Sequence, residues 1–341
     1  MLNFQRISSD TVKLLLLGGL LLLLVLASFL IGRYPVTPDM VFTVLAGKLF
    51  QWPQSWTPAM EIVILKIRLP RILAAMLVGG ALAVAGAAYQ NLFRNPLVSP
   101  AILGVSAGAG FGAALGMLLQ YSWVWVQIMA FAAGLLAVSC SFIISAFFGG
   151  KSVTSLVLGG MVVSALFQAL ISAVKYAADP LDTLPAITFW LMGGLAKVTM
   201  QEVIWIIPPI IAALLALYAV RWRIHVLGAG ESEAQSLGVN IRLVRLIVIA
   251  GATLMTAAAV SISGMIGWVG LLIPHMARML VGARFTVLLP ATMLMGSGYL
   301  LLIDGISRSV AAVEIPVGIL TAVIGAPFFV VLLARSRRNW L

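Results

Sequence analysis

The chain has 341 residues, 62% of them apolar and only 9% charged, where a soluble domain carries about 25% charged residues. That composition excludes a soluble globular protein, a disordered chain and a nucleic-acid-binding domain. The net charge of +11 reads as membrane orientation rather than as a polyanion site. The lone cysteine, Cys140, lies in an apolar stretch and leaves no room for a disulfide framework or a cysteine metal centre.

Charge-free windows locate the expected helices in chain order: 14–32, 72–93, 95–150, 152–174, 203–220, 246–277, 285–303 and 315–334. A membrane-spanning helix needs about 20 apolar residues, so most windows hold one span. The first window could instead be a signal-peptide core, but its apolar run is long and no small-x-small cleavage site follows, so a span is expected. Window 95–150 must hold two spans, with a turn near Gln120-Tyr121-Ser122. Window 246–277 holds either one long span or two short ones with a hairpin near Ser261-Ile262-Ser263-Gly264. Positive charge decides between them. With the N-terminus inside and two spans there, the inside segments carry 13 basic and 3 acidic residues and the outside segments 8 and 7. The expectation is therefore an all-α polytopic membrane protein, a single domain over 1–341 with ten spans, both termini cytoplasmic and a cytoplasmic segment at 221–245.

Gly104, Gly108, Gly112 and Gly116 recur every four residues and predict a smooth stripe for close helix packing, either inside the subunit or at a subunit interface. Pro208-Pro209, Pro274 and Pro327 lie within apolar windows and suggest broken helices, which are tolerated in a membrane where they are buried in protein or line a watery cavity.

Enzyme chemistry finds little support. Gly149-Gly150-Lys151-Ser152 matches the end of a phosphate-binding loop, but the first glycine of that pattern is replaced by Ser145. His225 and His275 are the only histidines and form no zinc motif, and Ser263-Gly264 lacks the preceding glycine of an intramembrane serine protease. The windows hold few carboxylates, whereas an ion-coupled carrier usually keeps ionisable groups inside its spans. A secondary carrier is the alternative of a different class, and the energy for transport is expected from another chain.

Three stretches together resemble the permease family of bacterial ATP-binding-cassette importers for iron-siderophores, haem and vitamin B12. The first is Arg68-Leu69-Pro70-Arg71, then Gly79-Gly80-Ala81-Leu82-Ala83, Gly86, Gln90, Arg94-Asn95-Pro96-Leu97 and Leu103-Gly104-Val105-Ser106-Ala107-Gly108. The second is Gly270-Leu271-Leu272-Ile273-Pro274-His275 with Arg278, and the third runs through Asp304, Arg308, Glu314-Ile315-Pro316-Val317-Gly318 and Gly325-Ala326-Pro327-Phe328-Phe329. The resemblance spans nearly the whole chain. It implies the ten-helix architecture of a type II ABC importer permease, which the charge count reaches independently. It also implies a homodimer in the bacterial or archaeal cytoplasmic (inner) membrane, with the path between the two copies.

The same resemblance implies the site residues. Arg68, Arg71 and Arg308 match the arginines that meet glutamates of a periplasmic or lipid-anchored substrate-binding protein, and a guanidinium fork suits a bidentate carboxylate contact. Residues 227–238 resemble the helices that couple to two ATPase subunits, with Leu227, Gly228, Glu231, Ala234, Leu237 and Gly238 as the expected contacts. Gly228 and Gly238 would punctuate one short polar helix. Ala229-Gly230-Glu231 departs from the family, in which Asp often follows the first glycine pair. Ser152 and Thr154 fall where relatives form a cytoplasmic gate. The chain would bind no metal and no cofactor, since ATP and Mg reside on the partner ATPase. The expected cargo is a metal chelate (ferric siderophore, haem or cobalamin), with an oxyanion such as molybdate as the alternative.

Overall fold

The computed structural model describes residues 2–148 and 153–337, and all regular structure among them is helical. Helix α1 (Leu2–Leu30) is followed by the short α2 (Pro38–Leu49). Helix α3 (Pro58–Glu61) runs through a π-helical segment, Ile62–Arg68, into α4 (Leu69–Leu92). A 3-10 turn at Pro100–Leu103 leads to α5 (Val105–Leu118). Then come α6 (Trp123–Phe148), α7 (Val153–Ala177), the short α8 (Thr183–Leu191) and α9 (Met200–Ala219). Two short helices, α10 (Arg221–Ala229) and α11 (Glu231–Ser236), precede α12 (Ile241–Ser263), α13 (Val269–Val281), α14 (Phe285–Ser309) and α15 (Val317–Arg337).

Among the described residues, seven helices are long and apolar enough to cross a bilayer, and the shorter apolar helices α5, α13 and α15 complete ten passes. The α5–α6 turn falls between Leu118 and Trp123, and the α12–α13 break falls between Ser263 and Val269, where the charge distribution requires them. Side-chain ties identify two ends of the bundle. At the terminal end, Arg284 pairs with Asp10 and Lys13 Nζ donates to Leu280 O at 2.8 Å. At the far end, Arg68 donates to the Phe29 and Tyr34 carbonyls, and Arg308 Nη1 donates to Ile31 O at 3.1 Å.

Helix α4 is the central post. Its run of Gly and Ala from Gly79 to Ala88 presents almost no side chain, so its neighbours approach backbone to backbone. A methyl group at Gly79 would sit 2.3 Å from the Gly296 carbonyl oxygen of α14, and one at Gly86 would sit 1.8 Å from the Gly270 carbonyl oxygen of α13. The glycine stripe of α5 is used the same way, inside the subunit. A methyl group at Gly108 or Gly112 would sit 2.4 or 2.2 Å from the Ala133 or Met129 carbonyl oxygen of α6, while Gly104 turns the chain into α5 at φ +87°.

The prolines do not break their helices. Pro208 and Pro209 stay inside α9, Pro274 inside α13 and Pro327 inside α15. Each removes one ladder hydrogen bond, a loss that packed membrane helices absorb. The real interruptions are the non-α-helical stretches 93–104 and 264–268. The helices that follow them, α5 and α13, have 14 and 13 residues. At 1.5 Å per residue each rises only about 20 Å, less than the ~30 Å hydrocarbon layer. Irregular backbone therefore lies at membrane depth in both places.

Candidate functional site

The three arginines singled out by the sequence converge at the far end. All three are buried, at 3%, 4% and 6% exposure for Arg68, Arg71 and Arg308. They are neither open forks nor headgroup anchors, because each guanidinium is engaged within the chain. Arg71 Nε donates to Asp304 Oδ1 at 2.8 Å, and Arg71 Nη1 reaches the Glu314 carboxylate at 2.9 Å. Arg308 Nε lies 3.0 Å from Asp304 Oδ2, an ion pair without hydrogen-bond alignment. A fully buried carboxylate thus sits between two arginines, and a half-exposed one caps Arg71 from outside. The loop between α14 and α15 is tied into the cluster by Ser307 Oγ, which donates to Ile315 O at 2.6 Å.

Local sequence explains why the α4 arginines reach inward. Pro70 has no N–H, and its ring would press on the carbonyl four residues back, that of Lys66. The chain is already helical before Pro70, so it is not the opening turn of a new helix. The π-helical segment Ile62–Arg68 widens the helix just ahead of it and brings Arg68 and Arg71 onto the α1 and α14 side. A cavity of about 330 Å³ lies beside the cluster, lined by Arg71, Glu314, Lys197, Trp123 and Trp190. Lys197 stands over the Trp123 ring at 5.8 Å. Glu202 fastens the same region by accepting from Trp123 Nε1 at 2.6 Å, from Thr199 N at 2.7 Å and from Gln127.

At the terminal end, residues 221–236 form two short helices rather than one, and the break is at Gly230, not at Gly228. Gly228 stays in α10, where a methyl group would meet Asn91 Oδ1 of α4 at 3.2 Å. Gly238 ends the segment at φ +72°, a conformation that favours glycine. Leu227 and Ala234 point into the bundle, while Glu231 and Leu237 face out. Glu231 pairs with Arg245 of α12 at 2.6 Å. The Glu233 carboxyl is held below its usual range by its own backbone N–H and the Ser232 hydroxyl, and burial pushes His225 below its usual value, with the Arg284 charge adding to it. The pair of helices is therefore seated on α4, α12 and α14 by one side and presents an acidic, partly apolar ridge on the other. Thr154 lies in the first turn of α7 and is exposed, whereas Ser152 lies outside the described residues.

A second cavity, of about 350 Å³, was not legible in the sequence. Ser99, Ser106, Ser164, Gln168 and Thr256 bring polar groups to it from the 93–104 stretch, α5, α7 and α12, and Trp268 borders it from the 264–268 stretch. Ser164, Gln168 and Ser172, spaced four apart in the apolar middle of the helix, were the one available signal. Among the described residues, no group of three or more His, Cys, Asp or Glu is placed to hold a metal ion.

The family model for the FecCD transport family matches residues 20–335. The chain belongs to the FecCD transport family. It is 41% identical over 329 residues to the molybdate import system permease protein MolB of Haemophilus influenzae, covering 95% of this chain and 96% of that one. It is 35% identical over 301 residues to the vitamin B12 import system permease BtuC of Serratia proteamaculans, covering 87% and 89%. A solved metal-chelate type ABC transporter in an inward-facing conformation superposes with a TM-score of 0.85 at 40% identity, over 94% of this chain and 98% of that one. Like other FecCD permeases, this chain is the membrane subunit of an ABC importer, and ATP hydrolysis belongs to a separate chain.

Proposed function

We propose that two copies of this chain form the path of a binding-protein-dependent importer that moves a metal chelate into the cytoplasm. The observation that carries the reading is the α10–α11 pair, a small rigid element held by buried Leu227 and Ala234 with an outward ridge for another protein. The terminal end is then cytoplasmic, in keeping with its surplus of basic residues. Two ATPase subunits close on ATP, push the ridges of Glu231 and Leu237, and tilt α12 and α4 between outward- and inward-open arrangements. Each arrangement is favoured by a different partner, which is what couples docking to transport.

Outside, the docking role stays with Arg68, Arg71 and Arg308, but as a unit. Arg68 and Arg308 hold the ends of α1, α4 and α14 together, and Arg71 is the member that borders the outer cavity. A glutamate of the binding protein would reach Arg71 by replacing Glu314, the one cluster carboxylate that solvent already touches. Inside, Thr154 with Ser152 remains the proposed gate at the mouth of the path.

The second reading of the cargo is an oxyanion such as molybdate, which the MolB relative favours. The test is ATP-dependent uptake by proteoliposomes holding the permease, its ATPase and its binding protein. Ferric chelates, cobalamin and molybdate are offered in turn. ATP-dependent uptake of a ferric chelate or cobalamin supports the first reading, and uptake of molybdate alone supports the second. Uptake driven by an ion gradient without ATP would overturn both.

A further inference from the structure

The 350 Å³ cavity lies where the two irregular stretches of the fold meet. Pro100, in the 93–104 stretch, packs on Gly270 at the start of α13, where a methyl group would be 2.6 Å from the proline ring. Bare backbone at membrane depth is tolerated only inside protein or along water. Ser164 and Gln168 stand near the middle of the 25-residue α7, at the edge of the side that packs on α5 and α6. Gln168 is exposed in the protomer, and among the described residues neither its side chain nor those of Ser106 and Ser164 make a hydrogen bond within the chain. Polar groups left open at mid-membrane are costly against lipid and cheap against water. Trp268 borders the same cavity with φ +69°, a conformation that bulky residues rarely adopt. Strained backbone of this kind collects at functional sites.

The chemistry of the lining is specific. It holds hydroxyls and an amide but no ionised side chain. The first turns of both partial helices, α5 at Ser106 and Ala107 and α13 at Gly270 and Leu271, also border it. Leu271 N donates to Trp268 O at 3.1 Å, and among the described residues the N–H groups of Ser106, Ala107 and Gly270 have no backbone acceptor, so they add partial positive charge to the neutral donors. A site built this way favours an anion without the grip of a fixed cation, and a carrier must also release what it binds.

We propose that this recess is a substrate station in each protomer's half of the path, and that it takes a compact anionic solute rich in oxygen acceptors through Ser106, Ser164 and Gln168. The volume lies at the small end of ligand pockets, which run from about 300 to 1,000 Å³. The proposal rests on the importer reading and names the chemistry of its cargo. An oxyanion and an anionic ferric chelate share that chemistry.

The test uses the assembled transporter in membranes, with Cys140→Ala as background and Gln168→Cys or Leu166→Cys added. Leu166 lies on the opposite side of α7 and serves as the lipid-facing control. A water-soluble thiol reagent modifies Gln168→Cys much faster than Leu166→Cys, and either molybdate or ferric citrate slows that reaction while cyanocobalamin does not. Which of the two protects distinguishes oxyanion from chelate. Equal, slow labelling at both positions, or labelling that neither anion slows, overturns the station. As a second readout, Ser164→Ala with Gln168→Leu lowers ATP-dependent uptake of the protecting anion by about tenfold, as expected for two lost hydrogen bonds, and Gln168→Asn restores part of it. Wild-type uptake in the double variant overturns the station and leaves the importer reading intact. Failure of wild-type ATP-dependent uptake strikes the importer reading, whereas the labelling contrast depends only on the recess.

Discussion

Arg71 of α4 and Asp304 of α14 meet at 2.8 Å across 233 positions of sequence, with side-chain exposures of 5% and 0%. Between them they join the ends of α4 and α14, two helices that pack backbone to backbone through Gly79 and Gly296. Arg308 approaches the same carboxylate from the next turn of α14. Removing the shared carboxylate would leave two buried cations facing each other. Asp304→Asn is therefore expected to destabilise the protein by about 3–5 kcal/mol, read as a large fall in the detergent unfolding midpoint. Adding Arg71→Met to that variant should recover much of the loss, since the orphaned charge is gone. An unchanged midpoint in Asp304→Asn would show that the pair is not a structural tie.

Glu314 covers Arg71 from the solvent side, and under the proposed docking it would compete with the partner's carboxylate. Glu314→Gln frees the Arg71 fork while Asp304 still holds its Nε. Docking of the binding protein on permease nanodiscs should tighten and become more sensitive to salt, because one more uncompensated positive charge faces the acidic partner. Weaker docking would place Glu314 itself in the interface and remove the exchange.

Close approach at Gly86 leaves no space for even one methyl group, because the obstacle is the Gly270 backbone rather than a flexible side chain. Gly86→Ala should cost about 1–3 kcal/mol through overpacking and broaden the size-exclusion profile. Gly18 in α1 has nothing within 4 Å, so Gly18→Ala should be neutral or slightly stabilising, by up to ~1 kcal/mol from helix propensity. Equal effects at the two glycines would contradict the packing assigned to α4.

The seat and the ridge of the α10–α11 pair should separate experimentally. Ala234 is fully buried, so Ala234→Arg should unseat α11 and abolish ATP-driven transport while the protein still inserts. Glu231 and Arg245 form a partly exposed pair, worth about 0–1 kcal/mol. Glu231→Ala should thus leave the unfolding midpoint almost unmoved yet weaken ATPase association. A stability loss without an association defect would reduce Glu231 to a structural tie.

Much of this fold could be read from the sequence because membrane folding is governed by two coarse signals, apolar length and basic residues. They located the turn at 119–122 and the break after Ser263, and the glycine stripe of α5 announced close packing. What escaped depends on contacts distant in sequence. Nothing near Arg71 announces Asp304, so three arginines read as surface groups proved to be buried. The prolines looked like breakers, yet α9, α13 and α15 continue through them, and in α13 Gln90 Nε2 of α4 donates to the Gly270 carbonyl that Pro274 leaves free. In α10–α11 the turn came at Gly230, two residues after the glycine expected to make it. Ser106, Ser164 and Gln168 sit in charge-free windows where single polar residues carry little signal, and they acquire meaning only when the 93–104 and 264–268 stretches bring them to one recess.

The central claim is that this chain is half of a path whose motor is a different protein. It is tested most directly by purifying the tagged chain in mild detergent and measuring the stoichiometry of what accompanies it. The expected result is a second copy of the chain and an ATPase subunit in equal number to the permease, with the ATPase lost on Ala234→Arg. A single copy without an ATPase, under conditions that keep known transporter complexes intact, would contradict it.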